Sequence, residues 1–505
     1  MTTGGRMRRA ATVGTATLVA LTTLLAGCID GSASTKPPST PTPTAPSSSP
    51  TPEPQTLRFS VYGGRQAVRA YRDIADSYEA DHPGVRIVLQ PHSDAAAAAE
   101  DALADLSTPD PDAASPSGSS PAASAGTTPT PSSPTKALTP SSPTKALTPP
   151  DVFLLDQHYL PDLVSTGRLH PLDDELEDKG VEFGDDYQRV ALTAFSAESA
   201  LQCMPFEMSP TVLFVNTRLV RFFRLLDEGI EPPDENGAWR FEDFAATARL
   251  VAQESTRPGF RAVYLPRDAD LLQALMRTAG GDIVDQGEDP SQLSLDSDAG
   301  REALTAYLEL ARDRSTSLSD RQALRVAPAK RFAQGRLAFL FGTRADVPAL
   351  RASGVPFDVV SVPRVGKSKA TAAAISGLCV DADSPVRDAA VDFVAHAVSE
   401  TSLTRAARSG ALVPASLDVV NSAAFAQRAR RPHTVAPFIE GQKRAVLLPY
   451  SLAWRQAETR IEELMGRLAA GTQRDLEPEL DRLLPAIDEE SKAWFDQADT
   501  KTGDG

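Results

Sequence analysis

Apolar and polar positions alternate over Leu57–Tyr62 (LRFSVY), the period of a half-buried strand. Gly63-Gly64 breaks the alternation. Val68, Tyr71, Ile74, Ala75 and Tyr78 then fall on one face of a helical repeat that His82-Pro83-Gly84 stops, and Val85–Leu89 reads as the next strand. Strand, glycine turn, helix, strand is the opening of a parallel α/β sheet. Ala95–Leu106 is helical by composition, and Asp151–Leu155 (DVFLL) is a short apolar run expected of a buried strand, with a helix after it. Leu201–Pro205 and Thr211–Asn216 are strand-like. The spacing predicts a helix over Trp239–Gln253 with Phe241, Phe244, Ala248 and Val251 inward, and another over Asp298–Arg312 with Ala303, Leu304, Tyr307 and Ala311 inward. Ser384-Pro385 is read as N-cap and first-turn proline of a helix carrying Ala390, Phe393, Val394 and Ala397. Two helices close the chain, one around Ile461, Leu464, Met465 and Leu468, the other over Leu476–Trp494.

Periodicity fails in two places. Residues 29–56 hold 8 of the 41 prolines, and residues 107–150 hold 11, with no aromatic residue in either stretch. Such chain has too little apolar surface to form a core. The first stretch reads as a tether: Pro-rich chain extends about 3.1 Å per residue, so it reaches roughly 80–90 Å. The second carries SSPTKALTP twice in tandem, at 132–140 and 141–149, too short and polar for a solenoid unit. Periodic structure resumes on both sides of it, and loop-closure entropy grows only logarithmically with length, so it is expected as a disordered insertion with no catalytic role. The remainder, 405 residues with 22 prolines, has ordinary globular composition and is too long for one core, so two lobes are expected. The formal charge of −16 excludes a nucleic-acid binder that works through a basic surface. Only the N-terminal stretch approaches the length of a membrane span, which excludes a multi-pass transporter.

That stretch has Arg6, Arg8 and Arg9 before an apolar run from Ala10 to Leu25, the layout of a secretory signal. Leu25-Ala26-Gly27-Cys28 at its end resembles the lipobox of bacterial lipoproteins, which implies a diacylglyceryl group on the Cys28 thiol, cleavage before it, and a palmitate-type anchor on the extracellular face of the cell membrane. An uncleaved signal anchor with an incidental cysteine is the other reading. Cleavage after residue 27 would leave 48 basic against 67 acidic residues, a mature charge of −19.

Five further segments, in order, resemble the extracellular solute-binding proteins of ABC importers, in particular the group that includes sugar binders. Asp151–Asp156 with Gly167-Arg168-Leu169 looks like that family's "PDV…G-x-L-x-P-L" stretch, and Pro205–Arg218 (PFEMSPTVLFVNTR), with Asn216, like its "P…YYN" segment. Trp239–Phe244 resembles its "TWDEL" helix start, Phe332–Phe339 its "F-x-x-G-K-A-A-M" element, and Ser376–His396 its "G-x-x-I…S-P-x-x-A-x-x-F" stretch. The resemblance implies an α/β, two-lobed periplasmic-binding-protein-like fold with hinge crossovers and a ligand cleft. It assigns 1–27 to the lipoprotein signal peptide, 28–56 to the tether, 57–205 and 380–438 to the N-terminal lobe (with 107–150 inserted), and 210–375 and 442–498 to the C-terminal lobe. It also implies a monomer that closes on a small polar solute, a sugar before others, and delivers it to permease subunits without breaking a bond. No enzyme activity, cofactor, metal or nucleic-acid partner is implied.

Candidate ligand contacts follow from placing the residues at the cleft. Tyr62 and Gly63 end the first strand; Asp156, Gln157 and His158 end the DVFLL strand, although His158 reads equally as a surface residue. Alternation through the first crossing segment opposes Phe206 and Met208 to Glu207 and Ser209, and the apolar pair is assigned to the cleft. Gly342 precedes Arg344 where many relatives carry an aromatic residue, and Arg344 is a candidate partner for a carboxylate or phosphate. Ser376 and Tyr450 complete the set. With Trp239 and Trp494 assigned to packing, the flat aromatic faces of a typical sugar site are scarce. Cys203 and Cys379 lie on strands that this architecture sets side by side, and a disulfide or two buried thiols are both open. Ser361–Ser368 (SVPRVGKS) lacks the first glycine of a P-loop, and neither G-x-S-x-G nor H-E-x-x-H occurs. A binding protein without transport, acting as surface sensor or envelope scaffold, is the alternative function; a secreted hydrolase with unmarked carboxylates is the third.

Overall fold

The computed structural model describes residues 54–106 and 149–502, except 185, 286–289, 448 and 450. The signal segment, Cys28, nearly all of the tether, residues 107–148 and Tyr450 lie outside the described residues.

Strand β1 (Gln55–Tyr62) buries Leu57, Phe59 and Val61. Helix α1 (Arg65–Asp81) returns the chain with Tyr71, Ile74, Ala75 and Tyr78 inward, and β2 (Val85–His92) pairs parallel to β1, Leu57 opposite Ile87. Gly63 makes the turn between β1 and α1: its φ of 120° is open to glycine alone, and a side chain there would also crowd Ala67. After α2 (Ala95–Leu106), β3 (Val152–Asp156) adds on the other edge of β1, also parallel, and is buried throughout. Strands β4 (Cys203–Pro210) and β8 (Ala373–Val380) complete this sheet in the order β2-β1-β3-β8-β4, with β8 antiparallel to both neighbours.

The second sheet is smaller: β5 (Val212–Asn216) between β6 (Phe339–Gly342) and β7 (Phe357–Ser361), all antiparallel. The chain passes from the first sheet to the second between Pro210 and Val212 and back between Ser361 and Ala373. Alternation along β5 splits the interior. Val212 and Phe214 join the core that continues from the first sheet, whereas Leu213 and Val215 face a second core. Helices α3 (Phe241–Glu254), α4 (Ala269–Ala279) and α5 (Asp298–Arg312) build that second core, joined by α9 (Trp454–Ala470) and α10 (Leu476–Thr502). The inward residues read from the periodicity of α3 and α5 are buried. Trp239, Trp454 and Trp494 all lie in this core.

On the first sheet's side pack α6 (Arg387–Ala397), α7 (Glu400–Arg408) and α8 (Ala436–Gln442). Here the cap reading is corrected: α6 starts at Arg387 with Val386 as its N-cap, not at Ser384-Pro385. The Ser384 hydroxyl donates to Asp151 Oδ1 at 2.7 Å and accepts from the Val386 amide, so it closes the turn that precedes α6 without capping the helix itself.

Candidate functional site

Ligands of open α/β sheets bind beyond the carboxyl ends of parallel strands. In the first sheet those ends are Tyr62 and Asp156. Register brings two more polar side chains to the same edge. Ser376 of β8 pairs with Asp156 of β3 on one side and with Glu207 of β4 on the other. The Tyr62 and Ser376 hydroxyls are 2.6 Å apart. Tyr62, Asp156, Ser376 and Glu207 thus form a polar row across four strands.

The chemistry of the row is set by burial. Glu207 is the one residue of β4 that is not fully buried, yet burial pushes its carboxyl up to about 8, with the Asp156 carboxylate adding to the rise against a hydrogen bond from the Val413 amide. At neutral pH it is mostly a protonated acid and a hydrogen-bond donor. Burial, then Asp156, holds the Tyr62 phenol well above its ordinary range, so it too stays neutral.

His158 carries the row toward the second lobe. The Asp156 carboxylate caps the turn that holds it, accepting from the His158 amide at 3.1 Å and lying 2.5 Å from Nδ1. Nε2 lies 3.4 Å from Asp270 Oδ2 at the start of α4 and 3.4 Å from Glu458 Oε1 on α9. Burial disfavours the imidazolium, but hydrogen bonds to Asp156, Asp270 and Glu458 outweigh it and raise the His158 pKa. Negative charge continues along α9, where partial burial and then repulsion from Glu458, Asp268 and Asp270 lift the Glu462 carboxyl to about 7. Beside this cluster the Arg455 guanidinium bonds Asp162 at 3.2 Å and lies over the Tyr159 ring at 5.2 Å. Gln273 of α4 donates to the Leu447 carbonyl at 2.9 Å. The arrangement offers neutral hydroxyl and carboxyl donors on one wall and carboxylate acceptors on the other, suited to a ligand rich in hydroxyl groups.

The expected contacts divide clearly. Tyr62, Asp156, His158 and Ser376 come together, with Gly63 exposed at the turn and Gln157 buried beside His158. Phe206 and Met208 are corrected: they point into the core of the first sheet, Phe206 against Tyr71 with ring centroids 5.8 Å apart. The pleat gives the cleft edge to Glu207 instead. Arg344 is corrected as well. It is fully buried, its Cζ 4.4 Å from the centroid of the Phe425 ring and 5.2 Å from that of Phe438, and it donates to the Phe425 carbonyl. At Gly342 a Cβ would collide with the Asp346 carboxylate, so the position takes only glycine while that carboxylate stands there. Just beyond, the start of α1 and residues 345–352 border a groove of about 260 Å³ lined mainly by alanines, glycine and proline. Asp270 and Glu458 were not among the sequence candidates, and Glu207 entered only as the face set against Phe206 and Met208 and assigned away from the cleft. The acidic start of α4 is visible in the sequence, but nothing in it says that α4 faces His158.

The profile of the family described as bacterial extracellular solute-binding protein matches residues 131–433. No curated protein matches the sequence. Solved structures are similar in fold at low identity. The sugar-binding protein MalE of Xanthomonas citri is 16% identical with a TM-score of 0.67, covering 89% of this chain and 100% of its own. An ABC substrate-binding protein of Listeria monocytogenes in complex with cycloalternan is 16% identical with a TM-score of 0.66, covering 86% and 99%. The GacH receptor of Streptomyces glaucescens, solved unliganded and with acarbose, is 19% identical with a TM-score of 0.63, covering 89% and 98%.

Proposed function

The chain belongs to the bacterial extracellular solute-binding proteins, and from that premise we propose that it captures a carbohydrate between its two lobes and hands it unchanged to an ABC permease. The observation that carries the reading is the polar row of Tyr62, Asp156, Ser376 and Glu207 opposed by Asp270 and Glu458. Hydroxyl-rich solutes are held by donors and acceptors of this kind, and the fold neighbours solved with cycloalternan and acarbose support the class. Solute that touches both walls favours the closed arrangement in proportion to its differential affinity. The lipid anchor at Cys28, the tether and the monomeric state belong to the same proposal. Within it the protein has no catalytic step.

A saccharide panel from glucose to malto-oligosaccharides, read by thermal shift and calorimetry, tests it. Solute at about 100 times its Kd stabilises the folded state by about 2.7 kcal/mol. At least one saccharide is expected to do so, and Ser376→Ala and Tyr62→Phe are expected to weaken it. Silence across saccharides with a response to amino acids or peptides overturns the solute class.

A sensor or scaffold without transport is the second reading, favoured by one observation: all three tryptophans are buried, so none stacks on a sugar. Uptake of labelled solute in cells with and without the gene separates the two. Mass spectrometry of the mature N-terminus tests acylation of Cys28.

A further inference from the structure

We propose that the cleft also holds a divalent transition-metal ion of the zinc class, ligated by His158 Nε2, Asp270 and Glu458 from both sides of the cleft. The donor set comes first. One imidazole nitrogen and two carboxylates are common ligands of such an ion, and three protein ligands leave a fourth position for water or a solute hydroxyl.

Spacing comes second. The three donor atoms lie within 4.8 Å of one another. Nε2 is 3.4 Å from each carboxylate oxygen. Metal–ligand bonds of about 2.0–2.2 Å at tetrahedral angles place ligand atoms roughly 3.3–3.6 Å apart. Two edges of that tetrahedron are already formed, and the third, between the two carboxylate oxygens, is no longer than 4.8 Å.

Orientation comes third. Histidine ligands commonly engage a carboxylate through the ring nitrogen that does not bind metal, which fixes the tautomer and aims the other nitrogen. Asp156 does this for His158 Nδ1, and its hold on the backbone amide locks the ring further.

Unmet polar groups come fourth. Asp270 Oδ1 is buried with no hydrogen-bond partner. Gln273, one turn along α4 and 1% exposed, leaves Oε1 unpartnered, and so does Nε2 of buried Gln157 beside His158. Buried polar atoms are rarely left this way. Here three occur on two of the three segments that supply ligands, and the two acceptors among them, Asp270 Oδ1 and Gln273 Oε1, both lie on α4. The rival account is an imidazolium ion-paired with carboxylates and no metal.

The site does not require the carbohydrate reading, so the test uses zinc alone. The full mature chain, stripped with chelator, is titrated with Zn²⁺ by calorimetry and melted with and without it, with Mg²⁺ as the control ion. One zinc per chain, a raised melting temperature and little response to Mg²⁺ are expected. His158→Ala and Glu458→Gln are each expected to abolish stoichiometric binding, and Asp156→Asn to weaken it about 10-fold or more. Arg455→Ala, outside the ligand set, is expected to keep one zinc per chain, its affinity lowered by no more than the factor of about 5 that the Asp162 contact adds to closure. Circular dichroism establishes that each variant is folded. Absence of stoichiometric zinc binding, or binding unchanged in folded His158→Ala, overturns the proposal. Zinc bound with saccharides silent would leave this site standing and remove the solute assignment.

Discussion

At the scale of single residues, Glu207 makes stability depend on pH. Its carboxyl is raised from 4.5 to about 8 in the folded state, chiefly by burial, so the folded chain keeps a proton that the unfolded chain has lost. The stabilising proton is fully present below about 4.5 and is lost as pH rises through 8. Glu207→Gln removes this dependence. Denaturant melts at pH 5 and pH 8.5 are expected to show the parent losing on the order of 1–3 kcal/mol more than the variant, after discounting for partial exposure. Parallel losses would mean that Glu207 titrates like a surface acid. Arg344 is a second test. Burial, then the Arg351 charge, lowers its pKa to about 9, and its Nε and Nη1 find no partner. Among the described residues it has no carboxylate partner. Arg344→Met keeps the stem that fills the space between Phe425 and Phe438 and removes the desolvated charge, so stability is expected to hold or rise by about 1–2 kcal/mol in urea melts. Solute affinity is expected to be unchanged, whereas an arginine bonded to solute would cost affinity. Both residues show the limit of reading side chains singly. A strand pattern that separates Phe206 and Met208 from Glu207 and Ser209 cannot say which face meets core. That is settled by Tyr62, Asp156 and Ser376, which reach the same edge only through strand pairing.

Elements were more legible, because a helix that buries one stripe writes its period into the chain. Asp298–Arg312 and Ala95–Leu106 are bounded as their periodicity and composition suggest, and the β1-α1-β2 opening forms its parallel pair. Pairing between distant strands leaves no such trace. The antiparallel register of β8 with β4 sets Cys379 opposite Cys203, and a disulfide joins them. It ties the edge strand of the sheet to the strand beside it across 176 residues of chain, so it restricts a long loop of the unfolded state. The Cys203→Ala, Cys379→Ala double variant is expected to lose about 2–5 kcal/mol in denaturant melts. Dithiothreitol should destabilise the parent and leave the variant unmoved. Equal sensitivity of both proteins to reductant would show that the bond contributes nothing.

For the molecule as a whole, the half of the site on α4 and α9 was unreadable because it exists only when two walls meet. Asp270 and Glu458 are ordinary helix acids until His158 stands 3.4 Å away. The same meeting brings Arg455 to Asp162 and over Tyr159. This pair is partly exposed, so it contributes only about 0.2–1 kcal/mol, a change of up to about 5-fold in the open–closed equilibrium. Apparent affinity scales with the fraction of chains able to close. Arg455→Ala is therefore expected to weaken solute binding by no more than about 5-fold. In solution scattering the solute-free variant should have a larger radius of gyration than the parent, and solute should bring the two together. Raising salt should reproduce the loss in the parent and do little to the variant, since screening acts on the exposed pair. Arg455→Lys, which keeps the charge and loses the planar contact with Tyr159, should fall between them. If Arg455→Ala binds as the parent does at every salt concentration, the contact follows closure without favouring it, and the bias toward the closed form rests on the buried His158 cluster alone.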